Sequence, residues 1–372
     1  MLVMLDKVVL YEIRMPFRHF FETSFGRTYD KEAVLVEVAA NDLTGWGECV
    51  ACEGPFYSYE DRNTAWYVLS EYLIPWALEH QTTGPEEFLE QAARIRGHNM
   101  AKAALEMALW DLNAKREGVP LWKKLGGCRK RIPCGVSIGI QDNPEQLIDK
   151  ITRELEDGYR KIKVKIKPGW DLEILERIRS RFPEIPLMAD ANSAYTVRDI
   201  PRLRELDRFR LMMVEQPLYD DDIAEHARLQ EVLETPVCLD ESIRHVRDAR
   251  LALDLGACRI INIKPGRVGG LIEARKIHDL CRERGVPVWC GGMLETGIGR
   301  AHNISLSTLE NFTIPGDVSA GRRYFERDTV RSPVEVEADG TIKVRNAPGI
   351  GWEPERGRID EITVRRKEFV RQ

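Results

Sequence analysis

The sequence is short of several features that define whole classes of protein. It has no run of about 18 apolar residues, which excludes a membrane-spanning helix and leaves no membrane partner to expect. Its first residues carry no signal-peptide pattern, so a cytoplasmic protein is expected. Positive charge is not in excess. The 55 lysines and arginines face 60 aspartates and glutamates, a formal net charge of −5, and nucleic acid meets no basic field. Eight cysteines are scattered at positions 49, 52, 128, 134, 238, 258, 281 and 290. Cys238, Cys258 and Cys290 sit in or beside apolar runs, the usual setting of a reduced core thiol. Cys49 and Cys52 have C-x-x-C spacing, yet no second pair or nearby histidine completes a zinc site.

What the chain does have is length and a period. At 372 residues it exceeds one ordinary domain and suits a barrel of roughly 200–250 residues plus a smaller unit. From Lys161 to Lys167, lysines alternate with Ile162, Val164 and Ile166 at a period of two, which is strand spacing with one charged face. Lys165 lies near the end of that run. Asp190, Glu215, Asp240 and Lys264 close four more short apolar runs, at successive intervals of 25, 25, 25 and 24 positions, and turn residues follow all five. Such a spacing holds one strand, one helix and two loops. Successive parallel strands joined by helices close into a (β/α) barrel, with functional groups at the C-terminal strand ends. The five charged residues are therefore expected to share one mouth.

The first third reads differently. Met1 to Arg14 and Glu32 to Val38 alternate like antiparallel strands, Gly45 to Glu48 closes a third, and Met100 to Glu117 has helical periodicity ended by Gly118. This predicts an α+β unit over residues 1–128. Phe17 to Gly26 is an aromatic loop that no strand pattern explains. It is either a lid that excludes water from a site or a loop anchored to its own domain by its phenylalanines. The strand–helix alternation runs over 129–322, with helices predicted at Asn143–Asp157, Leu172–Arg181, Val197–Leu206, Ile223–Glu234, Val246–Leu255, Leu271–Arg284 and Arg300–Leu309. Pro287–Cys290 reads as the seventh strand and Phe312–Ile314 as a short last one. The tail, 323–372, alternates again at Val334–Glu337 and Ile342–Val344 around an Asp339-Gly340 turn, and is expected to return to the first unit.

Three carboxylates in one mouth repel unless something neutralises them. All-oxygen ligation by Asp190, Glu215 and Asp240 suits a divalent cation, Mg²⁺ with Mn²⁺ acceptable. The bland alternative pairs each carboxylate with a lysine in a structural network. Lys165 and Lys264 flank the acids, one before and one after, so a carboxylate substrate between them would show its α-carbon to a lysine on either face. Confinement and a nearby metal both lower a lysine's pKa toward that of a useful general base. Lys163, on the same strand face as Lys165, could bond the substrate carboxylate or hold Lys165 deprotonated through like-charge proximity, whereas Lys161 and Lys167 read as solvated or paired. A Schiff-base barrel aldolase is a reading of another class, but it leaves the three carboxylates unexplained. A catalytically silent binding barrel would need no matched lysines.

In combination these motifs resemble the enolase superfamily, muconate-lactonising subgroup, over nearly the whole chain. The resemblance implies a (β/α)7β TIM-like barrel and an N-terminal α+β capping domain completed by the C-terminal tail, with lid segments near 17–26 and 49–58. It implies Lys165 and Lys264 as acid/base residues and Asp190, Glu215 and Asp240 as ligands. The segments Lys165–Asp171, Asn262–Gly270 and Trp289–Gly297 are similar to the branch that holds o-succinylbenzoate synthases and N-succinylamino acid racemases. By that resemblance Phe21, Cys52 and Tyr57 line the lid side and Ser137, Gly292, Met293 and Tyr324 the barrel side, with Asn192, Arg267 and Glu295 as further substrate contacts. Cys52 departs from the methionine of relatives. Dipeptide epimerases carry Asp-x-Asp on the last strand, whereas here Asp317 is followed two places on by Ser319, which favours a substrate whose nitrogen is acylated or absent. The expected partner is a small carboxylate with a succinyl arm, and a homo-oligomer is expected.

Overall fold

Alternation in the first third buries both of its faces. Val9, Tyr11, Ile13 and Met15 join one cluster of buried side chains, Val8 and Leu10 another, because β1 (Lys7–Thr23) lies in a sheet covered on both sides. The computed structural model describes residues 4–82 and 84–372, so the first three positions of the strand expected from Met1 lie outside the described residues. β2 (Gly26–Ala40) pairs with β1 and β3 (Leu43–Cys49) with β2, while the last strand, β13 (Thr363–Val370), adds antiparallel to the free side of β1. The Asn99–Arg116 helix covers this sheet. A Cβ at Gly45 or Gly47 would overlap the carbonyl oxygens of Ala108 and Ala104, so glycine on the strand and alanine on the helix let the two backbones meet.

The middle of the chain forms a seven-stranded parallel sheet in sequence order. After β4 (Arg131–Pro133) come β5 (Val136–Ile138), β6 (Ile162–Lys165), β7 (Leu187–Asp190), β8 (Val214–Glu215), β9 (Val237–Leu239), β10 (Ile260–Ile263) and β11 (Val288–Cys290). Every residue of β5 to β11 is buried, as expected of parallel strands faced by helices outside and side chains within. The sheet curls until Gly316 and Asp317 bridge its two ends: Gly135 N–H donates to Gly316 O at 2.7 Å and Asp317 N–H to Cys290 O at 2.9 Å. This is the expected mixed α/β architecture, a barrel-type parallel sheet with an N-terminal antiparallel sheet.

Several local expectations differ from the structure. Residues 17–26 are not a free loop, because β1 continues to Thr23 and turns through Ser24 and Phe25 into β2, with one irregularity between Pro16 and Phe21. Phe17 stacks on Phe325 at 5.7 Å, so its anchor lies beyond its own sheet. The helix expected over Val197–Leu206 is broken into 3-10 turns on either side of Ile200–Arg204, where Pro201 in the first turn restarts the helix. In the tail, Thr341–Lys343 (β12) is a strand paired with β4, ahead of β13. Val334–Glu337 is not one. Gly316 and Asp317, rather than Phe312–Ile314, make the closing hydrogen bonds, and Phe312 forms only an isolated bridge to Val288.

Two buried acids tie the sheet's helices to their neighbours. Glu60 accepts the Met100 and Ala101 N–H groups at 2.8 Å each, capping the Asn99–Arg116 helix. Glu106, on that helix, accepts the Leu271 and Ile272 N–H groups at 2.9 and 3.0 Å, capping the Leu271–Glu283 helix of the barrel. Burial pushes Glu60 up to about 7 and Glu106 up to about 8, with the backbone donors pulling back. Both carboxyls thus hold a proton more tightly folded than unfolded, so their contribution to stability is full below about pH 4.5 and declines as pH rises through 7 and 8. Urea midpoints taken between about pH 5 and pH 8 are expected to fall, and Glu106→Gln, uncharged throughout, to flatten the fall. A midpoint that rises with pH in both proteins would refute the assignment.

Candidate active site

The register of the parallel strands sets the charged residues level with one another. Lys165 pairs with Asp190 across β6 and β7, and Asp190 with Glu215 across β7 and β8. Asp240 follows β9 and Lys264 follows β10, so in sheet order the mouth reads lysine, three acids, lysine. All are buried, the lysines at 5–7% exposure and the acids at 0–1%.

Each amine meets specific oxygens. Lys165 Nζ lies 2.6 Å from Asp190 Oδ2 and 2.6 Å from Asn192 Oδ1. Lys264 Nζ lies 2.7 Å from Asp240 Oδ2 and donates to Tyr57 Oη at 3.0 Å, while Tyr57 Oη donates to Asp240 Oδ1 at 3.1 Å. Arg267 is fully engaged, on Asp240, on Ile243 O at 2.8 Å and on Asn262 O at 2.6 Å. Lys163 Nζ reaches Asp190 at 3.2 Å, Glu215 at 2.9 Å and Asp317 at 2.6 Å. Below it Lys161 is also buried, 3.0 Å from Asp317 Oδ1 and 4.3 Å from the Trp289 ring centre. Lys161 and Lys167 are both paired, Lys167 with Glu22 at 3.3 Å.

The two flanking lysines are pushed in opposite directions. Burial lowers Lys165. Burial also acts to lower Lys264, but Tyr57, Glu241 and Glu215 outweigh it and hold this amine above the usual lysine range. The expectation joined confinement to a nearby metal; burial by itself lowers Lys165, whereas the charges around Lys264 hold it up. Burial would raise Asp190, yet Lys165 and Lys163 hold it well below the carboxylate range, whereas burial and the neighbouring Asp190 raise Glu215.

The backbone behind the acids is unusual. Asn192 (φ 42°), Ser193 (φ 61°) and Gln216 (φ 40°) are left-handed without being glycine, a strain that clusters at functional sites. Gln216 Oε1 accepts the Asp240 and Ser242 N–H groups at 3.0 and 3.2 Å, tying one strand end to the next.

Ser137 pairs in register with Lys163, and its Oγ is buried without a partner. Gly292 packs where a Cβ would stand 2.9 Å from Asp317 O. Met293 O accepts from Lys31 at 3.1 Å. Glu295 accepts from Asn303 at 2.9 Å, Tyr324 packs with tilted rings against Phe17 and Phe325, and Phe21 pairs with Thr28 in the hairpin. Three site residues escaped the sequence reading: Glu241, Trp289 and Asn262, whose Nδ2 donates to Glu215 Oε1 at 2.6 Å. Asn262 precedes Lys264 by two, as Lys163 precedes Lys165, and that period was its signal.

Among the described residues, no three His, Cys, Asp or Glu side chains converge closely enough to enclose a cation, because amines stand between the acids. The donor set nonetheless fits a hard divalent ion, being three buried carboxylates on adjacent strands. Lys163 Nζ, between Asp190 and Glu215, already places positive charge there.

Residues 6–126 match the family described as Mandelate racemase / muconate lactonizing enzyme, N-terminal domain, and residues 146–358 the Enolase C-terminal domain-like family. The chain is 56% identical to an o-succinylbenzoate synthase of Geobacillus kaustophilus over 372 residues, covering 100% of this chain and 99% of the relative. It is 45% identical to an N-succinylamino acid racemase of Amycolatopsis over 361 residues, covering 97% and 98%. A solved enolase-superfamily member from Listeria innocua superposes with a TM-score of 0.95 at 39% identity, covering all of both chains. No helix among the described residues is long and apolar enough to cross a membrane.

Proposed function

The chain belongs to the mandelate racemase/muconate-lactonising enzyme family of the enolase superfamily, and from that premise we propose that it is an o-succinylbenzoate synthase that also racemises N-succinylamino acids. The observation that carries this reading is the placement of Lys165 and Lys264 on either flank of three buried carboxylates at successive strand ends. Enzymes of this family act on small molecules and depend on a divalent metal. Here Asp190, Glu215 and Asp240 would hold Mg²⁺, or Mn²⁺, which when bound neutralises charge developing on a substrate carboxylate.

The chain's own groups supply the rest. In dehydration of 2-succinyl-6-hydroxy-2,4-cyclohexadiene-1-carboxylate, Lys165 takes the proton α to the carboxylate. The same amine returns it to the hydroxyl, which leaves as water from the same face as the ring becomes aromatic. Lys264, held beside Tyr57 and Asp240, serves as a cation over the other face. Racemisation uses both amines, one removing the α-proton and the other delivering a proton to the opposite face. A free ammonium group finds no anion on the last strand, since Lys161 and Lys163 already occupy Asp317. That favours an acylated or absent nitrogen over a dipeptide, with the succinyl arm toward Phe21, Tyr57 and Met293.

Treatment with EDTA is expected to abolish turnover, and Mg²⁺ or Mn²⁺ to restore it, with Glu215→Gln folded but inactive. Full activity of metal-free enzyme would refute the ligand assignment. In D₂O with N-succinylphenylalanine, Lys165→Ala and Lys264→Ala are each expected to stop racemisation while leaving α-proton exchange of one enantiomer, a different one in each. Racemisation at the wild-type rate in Lys264→Ala would exclude the two-base scheme. Both reactions should be measurable on one metal-loaded preparation. Racemisation without dehydration would demote the synthase reading to that of a dedicated racemase.

A further inference from the structure

We propose that Ser24 and Asn192 are positioning residues that link the tip of the β1–β2 hairpin to the amine of Lys165. The Ser24 hydroxyl, in the turn between the two strands, donates to Asn192 O at 3.1 Å. Asn192 in turn presents its Oδ1 to Lys165 Nζ at 2.6 Å, its Nδ2 to Glu241 Oε1 at 2.9 Å, and its N–H to Asp190 Oδ1 at 3.1 Å. Every polar group of Asn192 is therefore assigned. Three point into the barrel mouth, and the carbonyl alone points to the hairpin.

The backbone of Asn192 makes the link consequential. Asn192 holds a left-handed backbone, which asparagine adopts more readily than most residues, and the Ser24 hydroxyl is a contact supplied to it from outside the barrel. The hairpin tip is seated so that this contact is held. Glu22 O accepts from Ile140 N–H at 3.0 Å, Glu22 Oε1 pairs with Lys167 at 3.3 Å, and Arg27 bridges Glu22 and Asp142 at 2.7 Å each. A Cβ at Gly139 would stand 2.8 Å from the Glu22 backbone, so glycine there lets the hairpin lie against the barrel. The same peptide is held on its other side by Ser193 N–H, which donates to Gln216 O at 2.8 Å, so losing the Ser24 bond removes one of two tethers and loosens the backbone that carries the amide orienting Lys165.

The link is one-sided. Lys264 takes its orientation from Tyr57 and Asp240, which share no contact with Ser24. Hairpin docking thus orients Lys165 through a hydrogen bond and reaches Lys264 only through the charge of Glu241, which Asn192 Nδ2 holds at 2.9 Å. This inference rests on the two-base reading, and α-proton exchange separates the halves, since each exchange moves one proton from the α-carbon to one amine and returns one deuteron from it.

The test follows exchange of each enantiomer of N-succinylphenylalanine in D₂O by NMR, with Mg²⁺ present, in wild type, Ser24→Ala, Ser24→Thr and Lys165→Ala. Ser24→Ala is expected to slow exchange about five- to ten-fold, only for the enantiomer that Lys165→Ala cannot exchange, and Ser24→Thr to restore it. Equal slowing of both enantiomers, or of neither, would overturn the proposal. Should wild type exchange neither enantiomer, the functional reading falls. The link is then decided by the crystal structure of Ser24→Ala, where Lys165 Nζ still bonded to Asn192 Oδ1 would overturn it and a displaced amine would uphold it.

Discussion

Charge buried inside a barrel must be met by charge, and most of this structure follows from that demand. Asp190, Glu215, Asp240, Glu241 and Asp317 share the interior with Lys161, Lys163, Lys165, Lys264 and Arg267. The pairs interlock, because Lys163 touches three acids and Asp317 two lysines. Removing one partner strands the others in a low-dielectric setting at a cost of about 3–5 kcal/mol. Well-packed apolar side chains would hold a barrel together as well, so the network is better explained by chemistry at the mouth than by stability.

The N-terminal sheet completes the mouth from above. It is fastened by acids that accept from helix N-termini of the barrel. Glu106 does so at Leu271 and Ile272, and Glu48 at Thr296 and Gly299, the latter next to the segment that carries Gly292 and Met293. From this platform two segments reach the lysines. Tyr57 bonds Lys264 directly, and the hairpin tip reaches Lys165 through Asn192. Neither lysine is set by its own strand alone.

Much of the site was legible because strand periodicity is local. Alternation in Lys161–Lys167 put four lysines on one face, and near-equal spacing put five charged residues at one level. The same rule read once more would have found Asn262. The hairpin was not legible, because Phe17 to Phe25 is patterned by what it touches, Tyr324 and Phe325 among them, rather than by a period of its own. Pro201 carried the signal that the Val197–Leu206 helix would break, and periodicity alone overrode it.

By itself the sequence determined which strands carry charge, which face that charge takes and at what height in the barrel, because side-chain direction alternates and loop lengths repeat. Only the tertiary structure decided which amine meets which acid. Lys161 lies 156 positions from Asp317, and Lys264 lies 207 from Tyr57. No periodicity spans such distances. The opposite shifts of Lys165 and Lys264 arise there too, since a pKa follows the sum of burial and surrounding charge, and the groups around each lysine come from strands and the Tyr57 segment, far apart in the chain.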